Sequence, residues 1–91
     1  MVLLGSCQDE ERLNQAMEYL KRFIQRVYTK KDLRVIGPAP QSVGRVKDQY
    51  KKVIYLKHAR EDVLIYVRDK LEQYMEINSG FHSMTIQFDI Q

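Results

Sequence analysis

The densest group of chemically useful side chains in this chain lies within the run Arg45-Val46-Lys47-Asp48-Gln49-Tyr50-Lys51-Lys52. Long cationic side chains neutralise phosphates and release condensed counterions. An aromatic ring beside them, Tyr50 or the nearby Tyr55, can stack on an exposed base. The candidate nucleic-acid-binding residues are therefore Arg45, Lys47, Tyr50, Lys51 and Lys52. A solvated basic surface without a ligand is the alternative interpretation of the same run.

The charge of the chain is unevenly distributed. Residues 30–60 hold nine bases and two acids, a net charge of +7, whereas the other residues sum to −4 and the whole chain to +3. A basic central segment in an otherwise acidic chain favours a polyanionic partner.

The segment Gly37-Pro38-Ala39-Pro40 precedes the basic run. Pro38 and Pro40 donate no backbone hydrogen bond, so we expect this segment not to pair as a strand. One interpretation is a stiff exit from a strand and no more. The functional interpretation is that Gly37, Pro38 and Pro40 also hold the following segment at a fixed angle on a partner. Residues 37–49 would then form one long connection, and a connection of this length in a compact fold is usually functional or mobile.

Other chemistry has little support in the sequence. His58, His82 and the lone Cys7 lack metal-ligand spacing, and both histidines are expected to be exposed at strand ends. A glycine-rich phosphate loop, a nucleophile elbow and a Walker sequence are all absent from the 91 residues. We therefore expect neither catalysis nor a cofactor in this chain. The stretch 51–57 also lacks the glycine and the aromatic pairs typical of RNA recognition motifs.

The length of 91 residues predicts a single domain, 1–91. One cysteine cannot form an intramolecular disulfide, which fits a reducing compartment. The apolar start, residues 1–4, is too short for a membrane span or a signal peptide, so a soluble intracellular protein is expected.

Hydrophobic periodicity predicts the elements that must position these residues. The spacing predicts helices over 9–28 and 60–77, and short strands over 2–5, 33–36, 53–57 and 84–90. The order predicts an α+β fold of the split βαβ type (βαββαβ): a four-stranded antiparallel sheet with two helices on one face, as in ferredoxin-like and ribosomal proteins. Thr85 and Gln87 would lie on its exposed face.

Four stretches carry a resemblance to a known family. They are Val35-Ile36-Gly37-Pro38-Ala39-Pro40, Arg45-Val46-Lys47-Asp48-Gln49-Tyr50-Lys51, Val53-Ile54-Tyr55-Leu56-Lys57 and Met84-Thr85-Ile86-Gln87-Phe88-Asp89-Ile90. Together they resemble the C-terminal domain of PriA (primosomal protein N′, replication factor Y), the bacterial replication-restart DNA helicase. Many members of that family carry arginine at the position of Lys51. Lysine keeps the positive charge there, but it cannot make the bidentate contact with a phosphate that arginine makes.

The resemblance implies that the chain is an excised C-terminal domain of a larger ATP-dependent 3′–5′ helicase. Such a domain helps to bind forked or single-stranded DNA during primosome assembly in the bacterial cytoplasm, in association with the nucleoid. ATP, magnesium and zinc would belong to the parent, as would contacts with single-stranded DNA-binding protein and primosome proteins, and no membrane is involved. ATP hydrolysis is not expected of the piece alone.

Two alternatives remain open. The domain could be a protein-interaction module that docks on the helicase lobes or on the acidic tail of single-stranded DNA-binding protein. It could also be a stand-alone RNA-binding domain of ribosomal type.

Overall fold

The computed structural model describes residues 1–46 and 49–89, and for residues 41–46 and 79 it describes the backbone alone. The elements in chain order are β1 (Val2–Cys7), α1 (Glu10–Val27), β2 (Arg34–Val46), β3 (Gln49–Lys57), α2 (Glu61–Ile77), a 3-10 turn (Ser79–Phe81) and β4 (Thr85–Asp89). The predicted α+β architecture, a split βαβ fold with a four-stranded antiparallel sheet, is confirmed.

The helices form where the apolar spacing predicts them. The side chain of Asp9 caps α1 by accepting a hydrogen bond from the Arg12 N–H at 3.2 Å, and acids in the first turn suit the helix dipole. The buried stripe of α1 consists of Leu13, Ala16, Met17, Leu20 and Ile24. Helix α2 buries Leu64, Val67 and Leu71 and ends at Asn78, whose side-chain amide donates to the Tyr74 carbonyl at 2.7 Å.

The sheet has the strand order β2-β3-β1-β4, so β2 and β4 are its edges. Strand β1 pairs with β3 from Val2↔Tyr55 to Cys7↔Tyr50 without a register shift. Both helices pack on one side of this sheet, where Leu3, Ile54 and Leu56 are fully buried. Helix α1 approaches β1 closely at Gly5, because a Cβ there would lie 2.7 Å from Sδ of Met17. Within the described part of the chain, neither helix has the length and apolar character needed to cross a membrane.

The prediction that Gly37–Pro40 ends a strand is wrong. Strand β2 runs through the segment, and Ala39 pairs with Val53 and Pro40 with Lys52. One extra residue between Ile36 and Ala39 makes a bulge, in which Gly37 has φ +109° and precedes a cis peptide bond to Pro38. Proline is tolerated at bulges and on edge strands, because its missing N–H removes no ladder bond there.

The predicted long connection over residues 37–49 is therefore also wrong. Strands β2 and β3 pair as far as Val46↔Gln49, with a second irregularity between Pro40 and Arg45. Gly37, Pro38 and Pro40, which were predicted to position a loop, are residues of this strand. The bulge keeps Ile36 and Ala39 on the same side of the sheet, since an odd spacing would otherwise place them on opposite sides.

Candidate nucleic-acid interface

The sheet has one face opposite the two helices, which we call the open face. Side chains alternate between the two faces along each strand, so the residues on this face are those between the positions buried under the helices. Its described residues are Arg34, Ile36 and Ala39 on β2; Lys51, Val53, Tyr55 and Lys57 on β3; Val2, Leu4 and Ser6 on β1; and Thr85, Gln87 and Asp89 on β4. Thr85 and Gln87 are exposed there, as predicted.

The middle of the open face is apolar. Tyr55 has Ile36 as its register partner on β2 and Val2 on β1, and Tyr55 and Ile36 each leave 40% of their surface exposed. The next row contains Val53 between its partners Ala39 and Leu4, and Val53 is only 4% exposed. An apolar strip that contains one half-exposed aromatic ring thus crosses three strands.

Cations border this strip on the β2–β3 side. Arg34 and Lys57 are register partners, both exposed, and like charges directly opposite in an antiparallel pair repel each other. Neither makes an ion pair with an acid in the part of the chain that the structure describes. Lys51 lies half-buried on the same face opposite Ser6. Asp89, on the far edge strand, is the one acid among the described open-face residues.

The residues predicted from the basic run do not form one cluster. Lys51 lies on the open face, whereas Tyr50 and Lys52 alternate to the helix-covered side, where Tyr50 packs against the core. The backbone of Arg45 pairs with Tyr50. The side chain of Arg45, and Lys47 as a whole, lie outside the described residues. The aromatic ring that the open face presents is therefore Tyr55.

A cluster that the sequence interpretation missed joins Tyr28, Asp32 and His58. The Tyr28 hydroxyl donates to Oδ1 of Asp32 at 2.7 Å, and Nε2 of His58 lies 3.0 Å from Oδ2. The expectation that His58 is exposed is wrong, because its side chain is 4% exposed, whereas His82 is exposed as expected. No signal in the sequence points to this cluster, because Asp32 lies two residues and His58 one residue outside the register pair Arg34↔Lys57, which only the structure shows.

The contacts among Tyr28, Asp32 and His58 connect chain segments and do not form a reactive site, and we call this cluster the brace. The Arg60 N–H donates to Nδ1 of His58 at 2.9 Å, so the ring proton is on Nε2 and both ring nitrogens are engaged. The hydrogen bond from Tyr28, followed by that from His58, holds the pKa of Asp32 below its ordinary value. The hydrogen bond to Asp32, together with burial, raises the pKa of Tyr28. The imidazole is therefore not arranged as a free base or a metal ligand.

A second candidate surface is a groove that lies between the helices. This groove of about 420 Å³ is lined by Arg12, Tyr19, Tyr74, Phe81 and small or amide residues. Two of its lining rings are in contact, with the centroids of Tyr74 and Phe81 5.9 Å apart, and Tyr74 also stacks on Phe23, outside the groove lining, at 4.3 Å. Tyr19 is 54% exposed.

Comparisons with known proteins do not indicate a function for this chain, so a function must be argued from its residues. No protein-family model matches the chain, and no curated protein shows significant similarity to it. Among the residues that the structure describes, no group of three histidine, cysteine or acidic side chains is arranged to hold a metal ion. The open face and the groove between the helices both have features of a binding site.

Proposed function

We propose that this chain is a DNA-binding domain that holds forked or single-stranded DNA through phosphate contacts at its β2–β3 hairpin. The observation that carries the proposal is the pair Arg34 and Lys57, two exposed cations held side by side on the open face. A phosphate between them would relieve their repulsion, which gives the pair a favourable interaction with a polyanion. Lys51 extends the same cationic border along β3.

The distribution of charge supports an orientation for the bound DNA. The segment from Arg34 to Lys57 carries a net charge of +5, whereas α2 (Glu61–Ile77) carries −3. Because both helices pack on the other side of the sheet, a polyanion is drawn to the open face and the hairpin and is repelled by the side that carries α2. Arg45 and Lys52 add positive charge to the same hairpin, although Lys52 lies on the helix-covered side of β3, and Lys47 adds a further positive charge in the sequence between them.

In the wider setting, the resemblance to PriA makes this domain an accessory part of a replication-restart helicase in the bacterial cytoplasm. The domain would supply binding energy at forks during primosome assembly, while the parent hydrolyses ATP. Contacts with single-stranded DNA-binding protein and primosome proteins would be made by the parent. This assignment rests on the four stretches that resemble that family, together with the charge pattern.

The test is fluorescence anisotropy with a labelled fork and a labelled single strand, titrated from about 50 to 200 mM salt. A variant with Arg34, Lys51 and Lys57 replaced by alanine removes the cationic border. Loss of three phosphate contacts should reduce the slope of log affinity against log salt by about 2 for a single strand, at roughly 0.7 per contact.

The matched control replaces Lys21, Arg22 and Arg26 of α1 by alanine, which removes the same charge from the helix side. It should keep the slope of the wild type. Equal effects of the two triple variants would mean that binding follows net charge alone, and absence of binding by the wild type at low salt would refute the proposal. Tighter binding of structured RNA than of forked DNA would favour the ribosomal-type alternative.

A second candidate function is capture of an acidic peptide that also carries apolar side chains. The observation that favours it is the groove between the helices, whose aromatic lining has Arg12 at its edge. The guanidinium of Arg12 makes no ion pair with an acid in the described part of the chain, although the backbone N–H of Arg12 donates to the capping side chain of Asp9. Nuclear magnetic resonance titration with such a peptide should shift signals of Tyr19 and Phe81, and the open-face triple variant should leave this binding intact.

A further inference from the structure

The open face carries more than a cationic border, because its centre is apolar and contains the exposed ring of Tyr55. A sheet surface in water normally shows polar side chains on its solvated side, as β4 does here with Thr85, Gln87 and Asp89. Strand β3 instead presents Tyr55, and the bulged edge strand presents Ile36 beside it. Both side chains are 40% exposed.

The position of the Tyr55 ring relative to the neighbouring cations limits the class of ligand that can bind over the ring. Lys57 is two residues from Tyr55 on the same face of β3, about 7 Å along the strand, and Lys51 is four residues away in the other direction, about 13 Å. Arg34 lies beside Lys57 on the neighbouring strand. A ligand that spans the ring therefore meets a positive charge on either side of it.

A single-stranded nucleic acid has that chemistry. Its unpaired bases offer planar faces to an aromatic ring, and its backbone places negative charges on both sides of each base. A duplex keeps its base faces stacked inside, so it can use the cations but not the ring. Helix-covered Tyr50 cannot take this role, because it packs against the core.

We propose that Tyr55, supported by Ile36 on one side and Val2 on the other, is a stacking platform for an unpaired base of single-stranded DNA. This inference rests on the proposed DNA-binding function and deepens it, since it names a base-contacting subsite. The strand runs along the β2–β3 half of the open face, past Lys51 and Lys57, and away from Asp89 on β4. The site selects unpaired nucleotides without reading their sequence, because every base has a planar face.

The experiment compares two probes of about 12 nucleotides, a thymine oligonucleotide and an abasic strand of the same length and charge. The wild-type chain should bind the thymine strand roughly 5- to 150-fold more tightly than the abasic strand, the range expected for stacking of one base. Tyr55→Ala and Tyr55→Leu should lose this preference with little change in salt slope, whereas Tyr55→Phe should keep it.

The control is Tyr66→Ala, which removes a ring of similar exposure (46%) from α2 and should leave the preference unchanged. Circular dichroism verifies that each variant is folded, and Tyr55→Leu retains an apolar side chain on the sheet if Tyr55→Ala does not fold.

A wild-type chain that binds both probes equally, with a normal salt slope, would overturn the platform and leave phosphate binding intact. A chain that binds neither probe would overturn the proposed function itself. Tighter binding of a uridine strand than of the thymine strand, with the same dependence on Tyr55, would overturn the assignment to DNA.

Discussion

Nε2 of His58 lies 3.0 Å from Oδ2 of Asp32, and this contact joins the turn before β2 to the turn after β3. The Tyr28 hydroxyl completes the contact from the end of α1, at 2.7 Å from the other carboxylate oxygen. Three chain segments therefore meet at one end of the sheet, beside the register pair Arg34↔Lys57. The brace fixes the base of the same hairpin that carries the proposed DNA contacts.

Replacement of His58 by alanine should destabilise the domain. It removes the donor to Asp32 and the acceptor of the exposed Arg60 N–H, which water then solvates, so the free energy of unfolding should fall by about 1 kcal/mol, the net contribution of one hydrogen bond. Urea denaturation followed by circular dichroism measures this change. His82→Ala, at an exposed position, is the control and should fall within about 0.5 kcal/mol of the wild type. Equal stability of the two variants would contradict the role of the brace.

The stability of the domain should depend on pH through Asp32. Its pKa is held below the ordinary value of 3.8 by the hydrogen bonds from Tyr28 and His58. A depressed folded-state pKa contributes stability that is present above 3.8 and is lost as the pH falls below that value through the folded-state pKa. The difference in unfolding free energy between the wild type and Asp32→Asn should therefore shrink as the pH falls through the acid range. A difference that did not change with acidification would show that the carboxylate charge is not involved.

Gly37 should not tolerate a side chain. Its φ of +109° is disfavoured for other residues, and a Cβ would lie 2.6 Å from the Val53 carbonyl oxygen, a backbone atom that cannot move aside. Gly37→Ala should cost about 1–3 kcal/mol in unfolding free energy. Gly80→Ala is the matched control, because a Cβ there has no atom within 4 Å. If thermal denaturation shows the same loss in both variants, the bulge geometry described for β2 is wrong.

The neighbouring residues Lys51 and Lys52 provide an internal test of which side of the hairpin binds DNA. They carry the same charge, but Lys51 lies on the open face and Lys52 on the helix-covered side. Lys51→Ala should reduce the salt slope for single-stranded DNA by about 0.7, the value for one phosphate contact. Lys52→Ala should reduce it by less. A larger effect of Lys52→Ala in the anisotropy titration would place the DNA on the other side of the sheet.

The sequence by itself determined the types of element, their order and the outward face of β4. The apolar spacing along α1 and the alternation from Thr85 to Asp89 depend only on local geometry, so they can be read without knowledge of the partners. The excess of positive charge in the middle of the chain is likewise a property of the sequence.

The tertiary structure alone decided which of those charges act together. Lys51 and Lys52 are adjacent in sequence, but a strand sends them to opposite faces, and the length of β3 was not evident from its apolar part. Pro38 and Pro40 led to the wrong prediction that a strand ends there. An edge strand tolerates proline, but the position of β2 at the edge is a property of the assembled sheet and is not visible in the sequence. The pairing of Tyr28, Asp32 and His58 required the hairpin register, since residues distant in the chain become neighbours only when the two strands are aligned.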